Sequence, residues 1–175
     1  MAETNLVGRT SQTKLNSMAV DLIDVTLTTI IATDHADGDV ISQSIEIPNA
    51  VAVKGGTAII QSIYLQNQDN DVESPALELV FASTNQNITS DIGDGVEAND
   101  NELIDAKILG SSTISNWSLL KPSENEIATK TNIGLVVRAD SNSKSIFVHT
   151  INRSGANYTP SGTAVLKAKI GIVKD

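Results

Sequence analysis

Residues 133–173, IGLVVRADSNSKSIFVHTINRSGANYTPSGTAVLKAKIGIV, decide the fold. Three runs rich in isoleucine and valine, 133–139, 145–151 and 163–173, are separated by Asp-Ser-Asn-Ser at 140–143 and by a segment at 154–162 that carries glycine, serine, asparagine and proline. Branching at Cβ restricts χ1 and suits a pleated surface, so each run reads as a strand and each polar break as a turn. In the last run Ala164, Leu166, Ala168, Ile170 and Ile172 share one face, and Val165, Lys167, Lys169 and Val173 share the other. A period of two marks a strand with one buried side.

The same pattern continues towards the N-terminus. Ile41, Ile45 and Ile47 oppose Ser42, Ser44 and Glu46; 50–53 reads as a short strand, and Lys54-Gly55-Gly56 as a tight hairpin turn. Ile59, Ile63 and Leu65 lie opposite Ile60 and Tyr64, which predicts a strand buried on both sides, and 77–82 alternates in the same way. Residues 112–120 read as one strand holding the sole tryptophan, closed by Pro122-Ser123. In 20–31 the apolar parity changes near Asp24, which predicts a bulge. Only NELIDAKIL, 101–109, has helical spacing. The polar stretch 83–102 is too long for an inert connector and reads as a functional excursion or a mobile segment. Eight or nine strands with almost no helix predict an all-β chain. The expected form is an antiparallel β-sandwich, jelly-roll-like, with one short helix; a closed barrel is the alternative. Residues 1–17 read as a flexible N-terminal arm and 18–175 as a single sandwich domain.

Composition narrows the function. Among 175 residues there are 20 Ile and 14 Val against 13 Leu, the balance of an aliphatic sheet core. The net charge of −9 sets the chain against nucleic-acid phosphates, and no apolar run reaches the length of a membrane helix. The absence of cysteine removes disulfides, thiolate metal sites and cysteine nucleophiles. Five aromatic residues, Tyr64, Phe81, Trp117, Phe147 and Tyr158, make a poor stacking platform for bases or sugars. Charge is uneven: residues 1–120 hold 17 acids and 4 bases, whereas 121–175 hold 4 acids and 8 bases. That suits docking oriented by complementary potentials, with Arg9 and Lys14 of the arm, Trp117, Lys167 and Lys169 as the partner-contacting candidates.

Candidate chemistry is sparse. Asp91, Asp94, Glu97, Asp100 and Glu102 have the oxygen ligands calcium needs, but their spacing does not fit the alternating acids of a calcium loop, and the stretch reads as solvated. Asp34, His35, Asp37 and Asp39 are metal-compatible in type, yet His149 is the only other histidine, so the cluster reads as a turn. Nucleophile-elbow, phosphate-loop and dinucleotide motifs are missing from the chain. Glycosylation sequons occur at Asn87, Asn116, Asn152 and Asn157, as expected by chance in a chain rich in Asn, Ser and Thr. The expectation is therefore a binding or structural protein with no catalytic residue, cofactor or metal.

Residues 38–65 (GDVISQSIEIPNAVAVKGGTAIIQSIYL), 132–139 (NIGLVVRA) and the closing GTAVLKAKIGIVKD resemble small virion structural proteins of tailed bacteriophages. The resemblance spans about two-thirds of the chain, from Gly38 onward, with 83–105 as an insertion. It implies a β-sandwich accessory protein of the particle: a decoration or cement protein on the capsid exterior, bound to the major capsid protein as a homo-oligomer, with a trimer favoured. It implies synthesis in the host cytoplasm and assembly into the virion. A tail or neck component, or a carbohydrate-binding sandwich module, is the alternative.

Overall fold

The computed structural model describes residues 20–29, 34–69, 74–96, 100–121, 125–163 and 165–174. The arm 1–17 with Arg9 and Lys14, the end of the first predicted strand at 30–31, Pro122-Ser123, Glu97 and Ala164 lie outside them.

Among the described residues nine strands form: β1 Val20–Leu27, β2 Val40–Ile47, β3 Thr57–Asn67, β4 Leu77–Ala82, β5 Ile108–Ile114, β6 Trp117–Lys121, β7 Asn125–Arg138, β8 Ile146–Asn152 and β9 Leu166–Lys174, with one helix, α1, at Asp100–Ala106. They make a five-stranded sheet, β1-β9-β3-β7-β6, and a four-stranded sheet, β2-β8-β4-β5, with every pairing antiparallel. The pairs nest, β1 with β9, β2 with β8, β3 with β7 and β4 with β5, as in a long doubled ribbon rolled up on itself. That is jelly-roll topology, and β6 is an extra edge strand beside β7. Between the sheets lies one core that takes Leu27, Ile60, Leu79, Phe81, Val148 and Ile170 from both layers.

Several elements differ from the sequence reading. β1 pairs with β9 residue for residue and has no bulge. Ile23, Val25 and Leu27 turn inward, while Val20 and Leu22 are left 51% and 66% exposed on the outer face, which is why the apolar parity seemed to change. The bulge lies in β3, where both ladders shift between Ile60 and Ser62. Ile60 and Ile63 thereby face the same core. β2 and β3 belong to different sheets, so Lys54-Gly55-Gly56 closes no hairpin and 50–53 is no strand. This connection crosses the end of the sandwich. There Gly55, at φ +67°, donates its N–H to the Ser143 carbonyl at 3.0 Å, and an added Cβ would stand 3.2 Å from Ser141 Cα.

The run 112–120 is broken at 115–116 into β5 and β6, one in each sheet. The helix ends at Ala106 because Lys107 adopts φ +53°, and Ile108 already belongs to β5. β7 begins at Asn125, well before the predicted 133, because its first inward residues are Glu126 and Ala128, which carry no aliphatic signal.

Phe81 is fully buried in the shared core, so Phe81→Ala is expected to cost about 3–5 kcal/mol. Val53→Ala, at a residue 62% exposed, is expected to change stability by less than about 0.5 kcal/mol. Urea unfolding followed by circular dichroism measures both.

Candidate interaction surface

The two sheets treat their outer faces differently. On the four-stranded sheet, the described parts of the excursion, 83–96 and 100–106, fold back and make a second small core of Val40, Ala82, Ile88, Ala106 and Ile151, with Val80 against it. Ile88 and Thr89 donate their N–H groups to Gln43 Oε1, each at 3.3 Å. Val40 and the 93–94 turn exchange backbone hydrogen bonds, Gly93 N–H to the Val40 carbonyl and Val40 N–H to the Asp94 carbonyl, both at 2.9 Å. The described part of the stretch, read as a functional excursion or a mobile segment, is thus docked on the sheet, and its Asp91 and Asp94 remain exposed to solvent as expected. Nowhere among the described residues do three or more potential metal ligands converge.

Beneath this cover lies His149, on the outward side of β8 and fully buried. Two register shifts in β2 and a positive φ of 53° at Ser44 aim the Ser44 N–H at His149 Nδ1, 3.2 Å away. The acceptor role of Nδ1 fixes the neutral tautomer with the proton on Nε2. Desolvation lowers the His149 pKa from 6.5 to about 4.

The Asp34–Asp39 cluster is occupied in holding a loop. Asp34 Oδ1 accepts from Thr159 Oγ1 at 2.5 Å, Asp37 Oδ1 from Gly155 N–H at 3.1 Å and Asp39 Oδ2 from Ala36 N–H at 2.6 Å. His35 and Tyr158 exchange backbone hydrogen bonds, each 2.9 Å. Asn152 locks this corner from inside: its Nδ2 donates to the carbonyls of His35 and Ala156, both at 2.8 Å, and its Oδ1 accepts from Ser154 Oγ at 2.6 Å. A sequon asparagine in this position is a structural residue. Glu126 is likewise buried, and its carboxylate accepts from Asn67 Nδ2 at 3.0 Å and Ser74 Oγ at 2.6 Å.

The outer face of the five-stranded sheet has no such cover from the described residues. Register places its side chains in rows across four strands. The first row is Val20, Val173, Ile59 and Val136 on β1, β9, β3 and β7. Next come Leu22, Gly171, Ser62 and Thr131, then Asp24, Lys169, Tyr64 and Thr129, then Thr26, Lys167, Gln66 and Ile127. One end is therefore apolar, with Leu22 66% and Val136 62% exposed, and the other is polar. Gly171 keeps the boundary flat, since an added Cβ would lie 2.2 Å from Ser62 Oγ and 3.3 Å from Val20 Cγ1. On the polar half, a groove of about 280 Å³ runs between Asp24, Tyr64, Gln66 and Lys169.

Lys167 and Lys169, two of the partner-contacting candidates, stand together on this face. Lys169 pairs with Asp24, and Lys167 Nζ donates to Thr26 Oγ1 at 3.2 Å. Lys174 pairs with Asp21 at 2.6 Å and Arg153 with Glu78 at 2.8 Å. Acids from the first part of the sequence are thus paired with bases from the last part where β1 lies beside β9. Trp117 is half-buried against the core and donates Nε1–H to the Pro75 carbonyl at 2.6 Å. The exposed apolar residues of its strand are Leu119 and Leu120, 58% and 59% exposed. Sequence reading passed over the apolar row because its members are scattered along the chain; the one hint was the surplus outward Val20 and Leu22.

No protein-family model matches the chain, and no curated protein is similar to it. Among solved structures, it is similar to a chain in the cryo-EM structure of the giant freshwater prawn Macrobrachium rosenbergii nodavirus semi-empty VLP. Identity is 11%, coverage is 88% of this chain and 92% of that one, and the TM-score is 0.32. No residue role carries over at that level.

The histidine gives a pH dependence. Its folded pKa lies below its unfolded value, so the unfolded chain binds a proton first and stability falls as the pH drops from about 6.5 towards 4. The full loss from this group is on the order of 3 kcal/mol and levels off below that window. His149→Gln is expected to remove most of the slope between pH 6.5 and 5 in urea unfolding. Glu78 and Asp140, whose pKa values are lowered by hydrogen bonds from Ser111 and Lys107 respectively, act at lower pH.

Proposed function

We propose that this chain is a structural protein of a virus particle, and more narrowly a decoration protein that binds the exterior of a tailed-phage head and stabilises it. The observation that carries the reading is the contrast between the two sheet faces: one is partly covered by the chain's own excursion, the other is uncovered by any described residue and bears an aliphatic row in which Val20 and Val136 are exposed and Ile59 and Val173 half-buried. Contiguous exposed apolar surface on a rigid sandwich marks a contact with another macromolecule. The resemblance of 38–65, 132–139 and the C-terminal strand to phage virion proteins supports the same role. In it, the major capsid protein is the partner and the chain acts as a non-enzymatic homo-oligomer.

A protein that binds only the assembled lattice stabilises it by mass action, by about 2.7 kcal/mol per site at a hundredfold excess over Kd. The groove beside Tyr64 favours glycan binding as a second reading, but it offers a single ring for a sugar to stack on.

The test is fractionation of particles assembled with and without the chain. The chain is expected to sediment with washed particles, and heads lacking it to open at a lower temperature. Its confinement to the soluble lysate would defeat the proposal, antibody labelling at one vertex would move it to the tail or neck, and binding on a glycan array would favour the second reading.

A further inference from the structure

We infer that the outer face of the five-stranded sheet, which no described residue covers, seats a second copy of this chain, about a two-fold axis parallel to the strands and passing between β9 and β3. The inference deepens the proposed role by naming the neighbour on that face, although the purified chain alone tests it. A two-fold interface presents one patch to itself, so the patch must be its own complement. Rotation about this axis exchanges β1 with β7 and β9 with β3 while keeping each row opposite itself.

The apolar row then meets its copy, Val20 against the second copy's Val136 and Val173 against its Ile59. In the third row Lys169 faces a tyrosine ring, Tyr64, and Asp24 faces Thr129; in the fourth, Lys167 faces the Gln66 amide. The apolar row meets itself, a cation meets an aromatic face, Leu22 and Ile127 meet Thr131 and Thr26, and no charge stands directly opposite its like. An axis across the strands would instead set Lys169 over the Gly171 row and Lys167 over Val173, burying charge against aliphatic surface.

The extent is adequate as well. Four strands about 4.8 Å apart and four rows about 6.8 Å apart cover about 500 Å² per copy, hence about 1,000 Å² for the pair, where specific interfaces begin. The twist between aligned sheets, about 30°, displaces the outer strands by part of a row and preserves the register at the centre. The self-complement is that of a pair, unlike the trimer that the family resemblance implies.

Sedimentation of the purified chain over a range of concentrations tests the assignment. A mass of two chains is expected, with Val136→Glu reverting it to one while the circular-dichroism spectrum of the folded chain is unchanged. Val53→Glu, at an equally exposed residue on the 48–56 connection, is expected to stay paired. Because the chain lacks cysteine, single cysteines report geometry. A short bis-maleimide is expected to join a Val20→Cys chain to a Val136→Cys chain in a mixture and to leave either alone unlinked. A wild-type mass of one or three chains, a pair indifferent to Val136→Glu, or linkage of Val20→Cys to itself would overturn the assignment. A pair that never appears on particles would refute the virion role and leave this interface standing.

Discussion

Everything in the roll depends on β3, the central strand of the larger sheet, hydrogen-bonded to β9 on one side and β7 on the other. Its apolar residues do not keep one parity, since Ile60 and Ile63 must both enter the core, and a regular strand would send one of them outward. The shift between Ile60 and Ser62 resolves this, and its neighbours accommodate it unequally. β9 runs past without interruption in its pairing with β1, while β7 spends additional residues there and takes positive φ values at Asn132 and Gly134. The local distortion is the condition for a single core shared by two sheets.

From that core follows the inequality of the two outer walls. The four-stranded sheet has outward Val80, His149 and Ile151, which are costly to leave wet, and the chain covers them with its own excursion. Covering them requires a buried imidazole, held neutral by desolvation with its Nδ1 accepting from the Ser44 amide, and so makes this wall sensitive to acid. The five-stranded sheet gathers four of its outward aliphatic residues in one transverse row, Val20 and Val136 exposed and Ile59 and Val173 half-buried, and no described residue covers them.

Much of the fold is legible in residues 133–173 and in the alternation of 77–82, because inward and outward positions there differ sharply in hydrophobicity, whereas in 41–47 two register shifts bury Ser42 against Thr150 and break the expected alternation. The reading failed where that contrast is absent. The first half of β7 points Glu126 inward, with its carboxylate satisfied by Asn67 and Ser74, and no pattern rule anticipates a buried acid with donors from distant segments. It failed also at 112–120, where two strands of different sheets follow one another across a two-residue break and read as one. Of the candidate contact residues, Lys167 and Lys169 were visible as the outward side of an alternating strand, but nothing local told that Asp24 stands beside one of them.

The sequence by itself determined that the chain is an aliphatic, antiparallel all-β protein, because period-two patterning and Cβ branching act within a few residues. Only the tertiary structure decided which strands become neighbours, and with that the transverse row of Val20, Ile59, Val136 and Val173 and the pairing of acids with bases. Rows across a sheet join residues more than a hundred positions apart in the chain, and their adjacency is set by register, which the ladders and the core fix together.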